Sequence, residues 1–169
     1  MKILVAGATG FIGKKLVKIL DEKGHEIVVL TRNRETARFH IPIHCEIQQW
    51  NPEKSPLSTN SLKDIDVVIN LSGENIASSF WTETQKRKLM DSRKMSVRRI
   101  VKAMAVMNTK PKVFISASAV GFYGNRSNEE LKETSSAGDG FLSKVCQSWE
   151  NEITESEELG IRTVIFRLG

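Results

Sequence analysis

Gly7-Ala8-Thr9-Gly10-Phe11-Ile12-Gly13 places three glycines at the spacing of a phosphate-holding loop. Glycine at 7 permits a tight turn, and glycine at 10 lets the backbone approach a pyrophosphate. Glycine at 13 lets the helix that follows pack closely on the strand before it. A helix starting here would turn unpaired N–H groups and a partial positive charge toward the phosphates. Gly7, Thr9, Gly10, Phe11, Ile12 and Gly13 are therefore candidate cofactor-binding residues. The next apolar run ends at Thr31-Arg32. A NAD-preferring site puts Asp or Glu here to hold the ribose 2′-hydroxyl. Thr31 is neutral, and Arg32 could fork onto a 2′-phosphate instead, although an exposed arginine is often merely solvated. NADP(H) is the expected cofactor, ahead of NAD.

Other chemistry-bearing groups point elsewhere. His40, His44 and Cys45 stand close together, but Pro42 breaks any helix that would align the histidines and no further ligands cluster nearby. No metal is expected. Lys86-Arg87-Lys88, Arg93-Lys94 and Arg98-Arg99 could track phosphates, yet no aromatics interleave them, so a solvated helix face is expected rather than a nucleic-acid surface.

These residues need elements to position them. The chain has 169 residues, 40% hydrophobic and 27% charged, with a net charge of +5, which suits one soluble α/β domain. Two cysteines cannot build a disulfide framework, and no apolar stretch is long enough to span a bilayer. A cytoplasmic protein with no membrane segment is expected. Apolar β-branched runs alternate with helical patterns from end to end. Strands are expected at 2–6, 26–30, 45–49, 66–71, 112–117 and 161–167. Helices are expected at 11–23, 82–107 and 139–158, with a polar loop around Pro42 and another over 51–61. The expected fold is a Rossmann-type, doubly wound parallel sheet of about six strands in the order 3-2-1-4-5-6. A stripe of Met95, Met104 and Met107 is compatible with a homodimer face and equally with core packing.

Several further motifs occur in order: Asn70-Leu71-Ser72-Gly73-Glu74-Asn75-Ile76, Trp81 with Lys86, Ser92-Arg93, Ser116 to Gly124, Phe141-Leu142 and Trp149-Glu150. Together with the glycine loop they resemble the extended, atypical branch of the short-chain dehydrogenase/reductase superfamily. Within it the chain is similar to the NAD(P)-dependent nucleotide-sugar epimerase-like family, sometimes labelled cell-division inhibitor. The resemblance implies that Thr31 and Arg32 hold the adenosine phosphate and that Leu71, Ser72 and Gly73 line the ribose and pyrophosphate. It also implies that Arg93 reaches the cofactor, where the residue alone reads equally as a solvated helix position. Trp50 would be the adenine wall, or simple packing.

The same resemblance implies a serine after the fifth strand and a Tyr-x-x-x-Lys pair on the next helix, the tyrosine transferring a proton under the influence of the lysine. Ser118 matches the serine. The tyrosine position holds Phe141, and Lys144 follows it by three residues rather than four. Tyr123, the single tyrosine, lies in the Phe-Tyr-Gly turn. Ser118, Tyr123 and Lys144 are thus the candidate catalytic residues of an oxidoreductase or epimerase acting on a small carbonyl or sugar-like substrate. The alternative is an inactive NADP(H)-binding sensor. The chain reaches Arg167-Leu168-Gly169 where the family continues into a substrate lobe. The expectation is one NAD(P)-binding domain over residues 1–169, without that lobe.

Overall fold

The computed structural model describes residues 1–77 and 80–169. Six strands form one parallel sheet: β1 (Lys2–Ala6), β2 (Glu26–Thr31), β3 (Glu46–Gln49), β4 (Val67–Asn70), β5 (Val113–Ala119) and β6 (Arg162–Leu168). Their order in space is β3-β2-β1-β4-β5-β6, as expected from the alternation in the sequence. Among the described residues four α-helices connect them: α1 (Phe11–Glu22), α2 (Arg34–His40), α3 (Glu83–Ala105) and α4 (Phe141–Thr154).

Alternate side chains of the central strands feed two cores, which is why those strands read as unbroken apolar runs. Leu4, Val28, Val68 and Phe114 pack beneath α3 and α4 with Val97, Ile100, Met104, Trp149 and Ile153. Ile3, Val5, Ile27, Val29 and Ile69 pack against Val17 of α1 and Ala37 of α2 on the other face. Burying each large side chain contributes about 1.5–3 kcal/mol. Met104 is fully buried in the first core and Met107 packs against it, so those members of the methionine stripe serve packing. Among the described residues no helix is long and apolar enough to cross a membrane.

The register brings the ends of the central strands level. Ala6 pairs with Leu30 on one side and with Asn70 on the other. The crossovers run to opposite faces on either side of β1, so the space between β1 and β4 is a topological switch point, where ligands of such sheets collect.

The helix α2 lies where no helix is expected from the sequence, ahead of the polar loop around Pro42. Its signal is local: Asn33 caps the helix by accepting from the Thr36 N–H at 3.0 Å, and Ala37 is its buried residue. Seven residues with one buried position leave no apolar stripe to detect. Asn33→Ala is expected to cost about 1 kcal/mol, seen as a fall of roughly 2–4 °C in Tm. The helix α4 is shorter than expected at both ends. Gly140, at φ 91°, begins it, and after Thr154 the chain leaves into a 3-10 turn at Glu157–Leu159. There the Ser156 hydroxyl bonds the Ile153 carbonyl at 2.7 Å and the Thr163 hydroxyl at 2.6 Å.

Candidate functional site

A cleft of about 580 Å³ opens at the carboxyl ends of β1, β2 and β4. The glycine loop forms its floor. Gly7 takes φ 85°, which disfavours a side chain, and its N-terminal turn closes through the Gly10 N–H to the Gly7 carbonyl at 3.1 Å. Gly10 then stands at the N-cap of α1 with no side chain capping that helix. The first-turn N–H groups of α1 are therefore left to solvent or a ligand.

The segment after β4 forms one wall and is held from below. Asn70 is wholly buried and donates to the Ser96 and Ser116 hydroxyls at 3.3 and 3.4 Å. Its carbonyl oxygen accepts from the Ser72 hydroxyl at 2.5 Å and from the Ser72 N–H at 3.3 Å. The Glu74 N–H donates to Ser92 at 3.1 Å, and Arg93 donates to the carbonyls of Glu74 and Leu89 at 2.9 and 3.0 Å. Arg93 also lies over Trp149 at 5.4 Å, and burial pushes its guanidinium pKa down. Its fork is thus spent on bracing the loop rather than turned into the cleft.

The opposite wall comes from the β2–α2 turn and the chain after β3. Thr31 exchanges hydrogen bonds with Asn33 at 3.2 and 3.3 Å. Trp50 is 6% exposed, donates to the Ser55 carbonyl at 3.2 Å, and both packs in the core and lines the cleft. Arg32 lines the cleft, and its guanidinium has no partner among the described residues.

Of the cofactor candidates, Gly7, Thr9, Gly10, Thr31, Arg32, Leu71, Ser72 and Gly73 line this cleft together. Gly13 lies behind it against Gly7 and Ala8, and Phe11, 93% exposed, and Ile12 point away from the buried floor. Sequence reasoning missed Lys14, Thr36, His40, Glu53 and Ser92, which also line it. Lys14 directly follows the glycine motif and could have been found. Thr36 and His40 could not without α2.

The catalytic candidates divide. Ser118 is 2% exposed and its hydroxyl donates to Glu150 at 2.5 Å. Glu150 accepts a bidentate fork from Arg167 at 2.9 and 2.8 Å, which holds the guanidinium pKa well above its ordinary value. Arg167 lies 3.6 Å from the centre of the Phe122 ring and donates to the Tyr123 hydroxyl at 2.8 Å and to the Glu133 carbonyl at 3.0 Å. Ser118 and Tyr123 are therefore linked through one partly buried chain of hydrogen bonds. Beside it, burial pushes the Cys146 thiol pKa up, against an opposing hydrogen bond from the Ala119 backbone. Lys144 is elsewhere. It lines a separate cavity of about 330 Å³ with Lys86, Arg87, Met90 and Phe141, where Trp81 meets the Phe141 ring edge-on at 5.8 Å.

A doubly wound sheet, a glycine loop entering an uncapped helix and a cleft at the switch point define a dinucleotide-binding domain of Rossmann type. The residues fit such a ligand: open N–H groups at the floor, and two cations lining the cleft, Lys14 and Arg32, with no partner among the described residues. Comparison with known proteins agrees. The model of the NAD dependent epimerase/dehydratase family matches residues 3–169, and the chain belongs to that family. It is 37% identical over 171 residues to the epimerase family protein YfhF of Bacillus subtilis, covering all of this chain and 54% of that one. The crystal structure of human epimerase family protein SDR39U1 (isoform 2) with NADPH superposes with a TM-score of 0.79 at 28% identity, over 99% of this chain and 53% of that one. The nucleoside-diphosphate sugar epimerase from Corynebacterium glutamicum gives a TM-score of 0.81 at 30% identity, over 99% of this chain and 33% of that one. The chain spans about half the length of the curated relatives it matches.

Proposed function

We propose that the chain binds NADP(H) along the cleft, with the pyrophosphate over Gly7–Gly13 and the adenosine between α2 and the Trp50–Glu53 segment. The observation that carries this is Arg32, an unpartnered guanidinium at the position where a carboxylate would serve NAD. The NADPH in the human relative's structure supports the same choice. Ser72, held by Asn70, and Gly73, backed by Arg93, set the wall along which the ribose and nicotinamide would lie.

When bound, the nicotinamide supplies a hydride donor or acceptor. The family and the sugar-epimerase relative support redox or epimerase chemistry on a small carbonyl or sugar-like substrate. In this reading Ser118 orients the substrate oxygen, and Tyr123 or Lys144 carries the proton. A second reading is supported by the geometry of those three groups. The Ser118 hydrogen is committed to Glu150, the Tyr123 oxygen to Arg167, and Lys144 stands in another cavity. A domain so arranged would sense or carry NADP(H) without turning it over.

A fluorescence titration with NADPH and NADH tests the cofactor. Arg32→Ala is expected to weaken NADPH about ten- to a hundredfold, the loss of a charge-assisted contact, while NADH stays within twofold. An equal loss for both nucleotides would remove the 2′-phosphate role, and binding of neither would overturn the proposal. NADPH oxidation against a panel of carbonyl compounds separates the two readings, with Ser118→Ala as the control.

A further inference from the structure

We propose that His40 is a specificity-determining residue of the cleft, joining Arg32 and Thr36 around the cofactor's 2′-phosphate and making the preference for NADPH over NADH depend on pH. The inference rests on the NADP(H) reading above and adds a residue and a regulation to it.

Asn33, Thr36, Ala37 and His40 all line the cleft, so α2 turns one face toward the ligand space along its whole length. Thr36 and His40 are four apart, which sets their Cβ atoms about 5–6 Å from each other. Helical side chains lean toward the N-terminus, so the imidazole leans toward Thr36 and the Arg32 end rather than away from it. The Thr36 N–H is already taken by Asn33. Neither the Thr36 hydroxyl nor the His40 ring has a partner among the described residues. An anion beside Arg32 would share the α2 side of the cleft with both.

The charges facing this space come from each element around it. Lys14 enters from α1, Arg32 from the β2–α2 turn, Glu53 from the chain after β3 and Glu74 from the chain after β4. Glu74 is further tied to Lys88 at 3.2 Å. On α2 itself Arg34, Glu35 and Arg38 are exposed, and on β3, which packs against α2, Glu46 bonds Gln48 at 2.7 Å. The cleft lining thus holds two fixed cations against two carboxylates, and a proton on His40 leaves it net positive. Imidazole is the side chain whose charge changes between about pH 5 and 8. At the 2′ position the extra cation faces a phosphate in NADPH and a neutral hydroxyl in NADH.

The test is calorimetric titration of NADPH and NADH into the wild type and His40→Gln at about pH 6 and about pH 8.5. A phosphate takes up its second proton near pH 6, so variant and wild type are compared at the same pH, where that effect cancels. His40→Gln is expected to weaken NADPH about three- to tenfold at the lower pH and less than twofold at the higher, with NADH unchanged at both. His40→Lys, a permanent cation, is expected to bind NADPH more tightly than wild type at the higher pH. An equal effect of His40→Gln at both pH values, or an equal effect on NADH, overturns the inference while leaving the cofactor reading intact. No binding of either nucleotide by the wild type overturns both.

Discussion

Gly13→Ala is expected to abolish nucleotide binding and to destabilise the chain by about 3 kcal/mol, the upper range for forcing volume into a packed site. A Cβ on Gly13 would lie 2.3 Å from the Gly7 carbonyl oxygen and 2.7 Å from the Ala8 Cα. Both are backbone atoms, so relief requires α1 to move off β1, and the glycine loop moves with it. Gly10→Ala provides the contrast, since its nearest neighbour would be the Gly7 oxygen at 3.3 Å. That contact yields by a few tenths of an ångström, and the fold should survive. The methyl group would nevertheless stand where the proposed binding mode brings in the pyrophosphate. Thermal denaturation with NADPH titration checks the pair: Gly13→Ala loses both fold stability and binding, Gly10→Ala only binding. A Gly13→Ala protein with wild-type Tm would show that α1 is not held to β1 as described.

The second large effect is expected at Glu150. Glu150→Gln leaves the Arg167 guanidinium partly buried without its bidentate carboxylate, with one neutral carbonyl oxygen where two charged oxygens accepted from Arg167 and Ser118. Breaking one side of a buried pair costs about 3–5 kcal/mol, which for a chain of this size lowers Tm by roughly 6–20 °C. The loss should be largely recovered in the double change Glu150→Leu with Arg167→Met, because removing both charges leaves neither uncompensated. Differential scanning calorimetry of the single and double variants decides the matter. A single variant within about 2 °C of wild type would mean that the pair contributes little. The cluster joins the end of β5 through Ser118, α4 through Glu150, the turn holding Tyr123 and the end of β6 through Arg167. Loosening it would displace two of the catalytic candidates at once.

The strand order and the glycine loop were legible in the sequence because both depend on local patterns. Ile3–Val5, Ile27–Val29 and Val67–Ile69 are apolar on successive residues, as a sheet covered on both faces demands. The loop needs glycine for reasons of backbone geometry that hold in any such fold. The helix α2 was hidden because its local signals are one cap and one buried alanine. With it were hidden Thr36 and His40. Arg93 illustrates a different limit. Its place in the sequence is compatible with a cofactor contact, a solvated helix face or a brace, and only the positions of the Glu74 and Leu89 carbonyls distinguish them. Likewise nothing near Ser118 in the sequence signals that Glu150 and Arg167, 32 and 49 residues further on, converge on it.

The parallel pairing of β1 with β4 has a consequence for how the chain reaches this structure. The Lys2 N–H bonds the Asp66 carboxylate at 3.0 Å across a separation of 64 residues, and Ile3 faces Val67 just beyond. The β1–β2–β3 half can assemble from neighbouring segments, but the middle of the sheet closes only over this long loop, which makes the step slow. During synthesis the apolar inner edge of β1 has no neighbour until residue 70 has left the ribosome. During that interval the nascent chain is open to association with other copies or to chaperone capture.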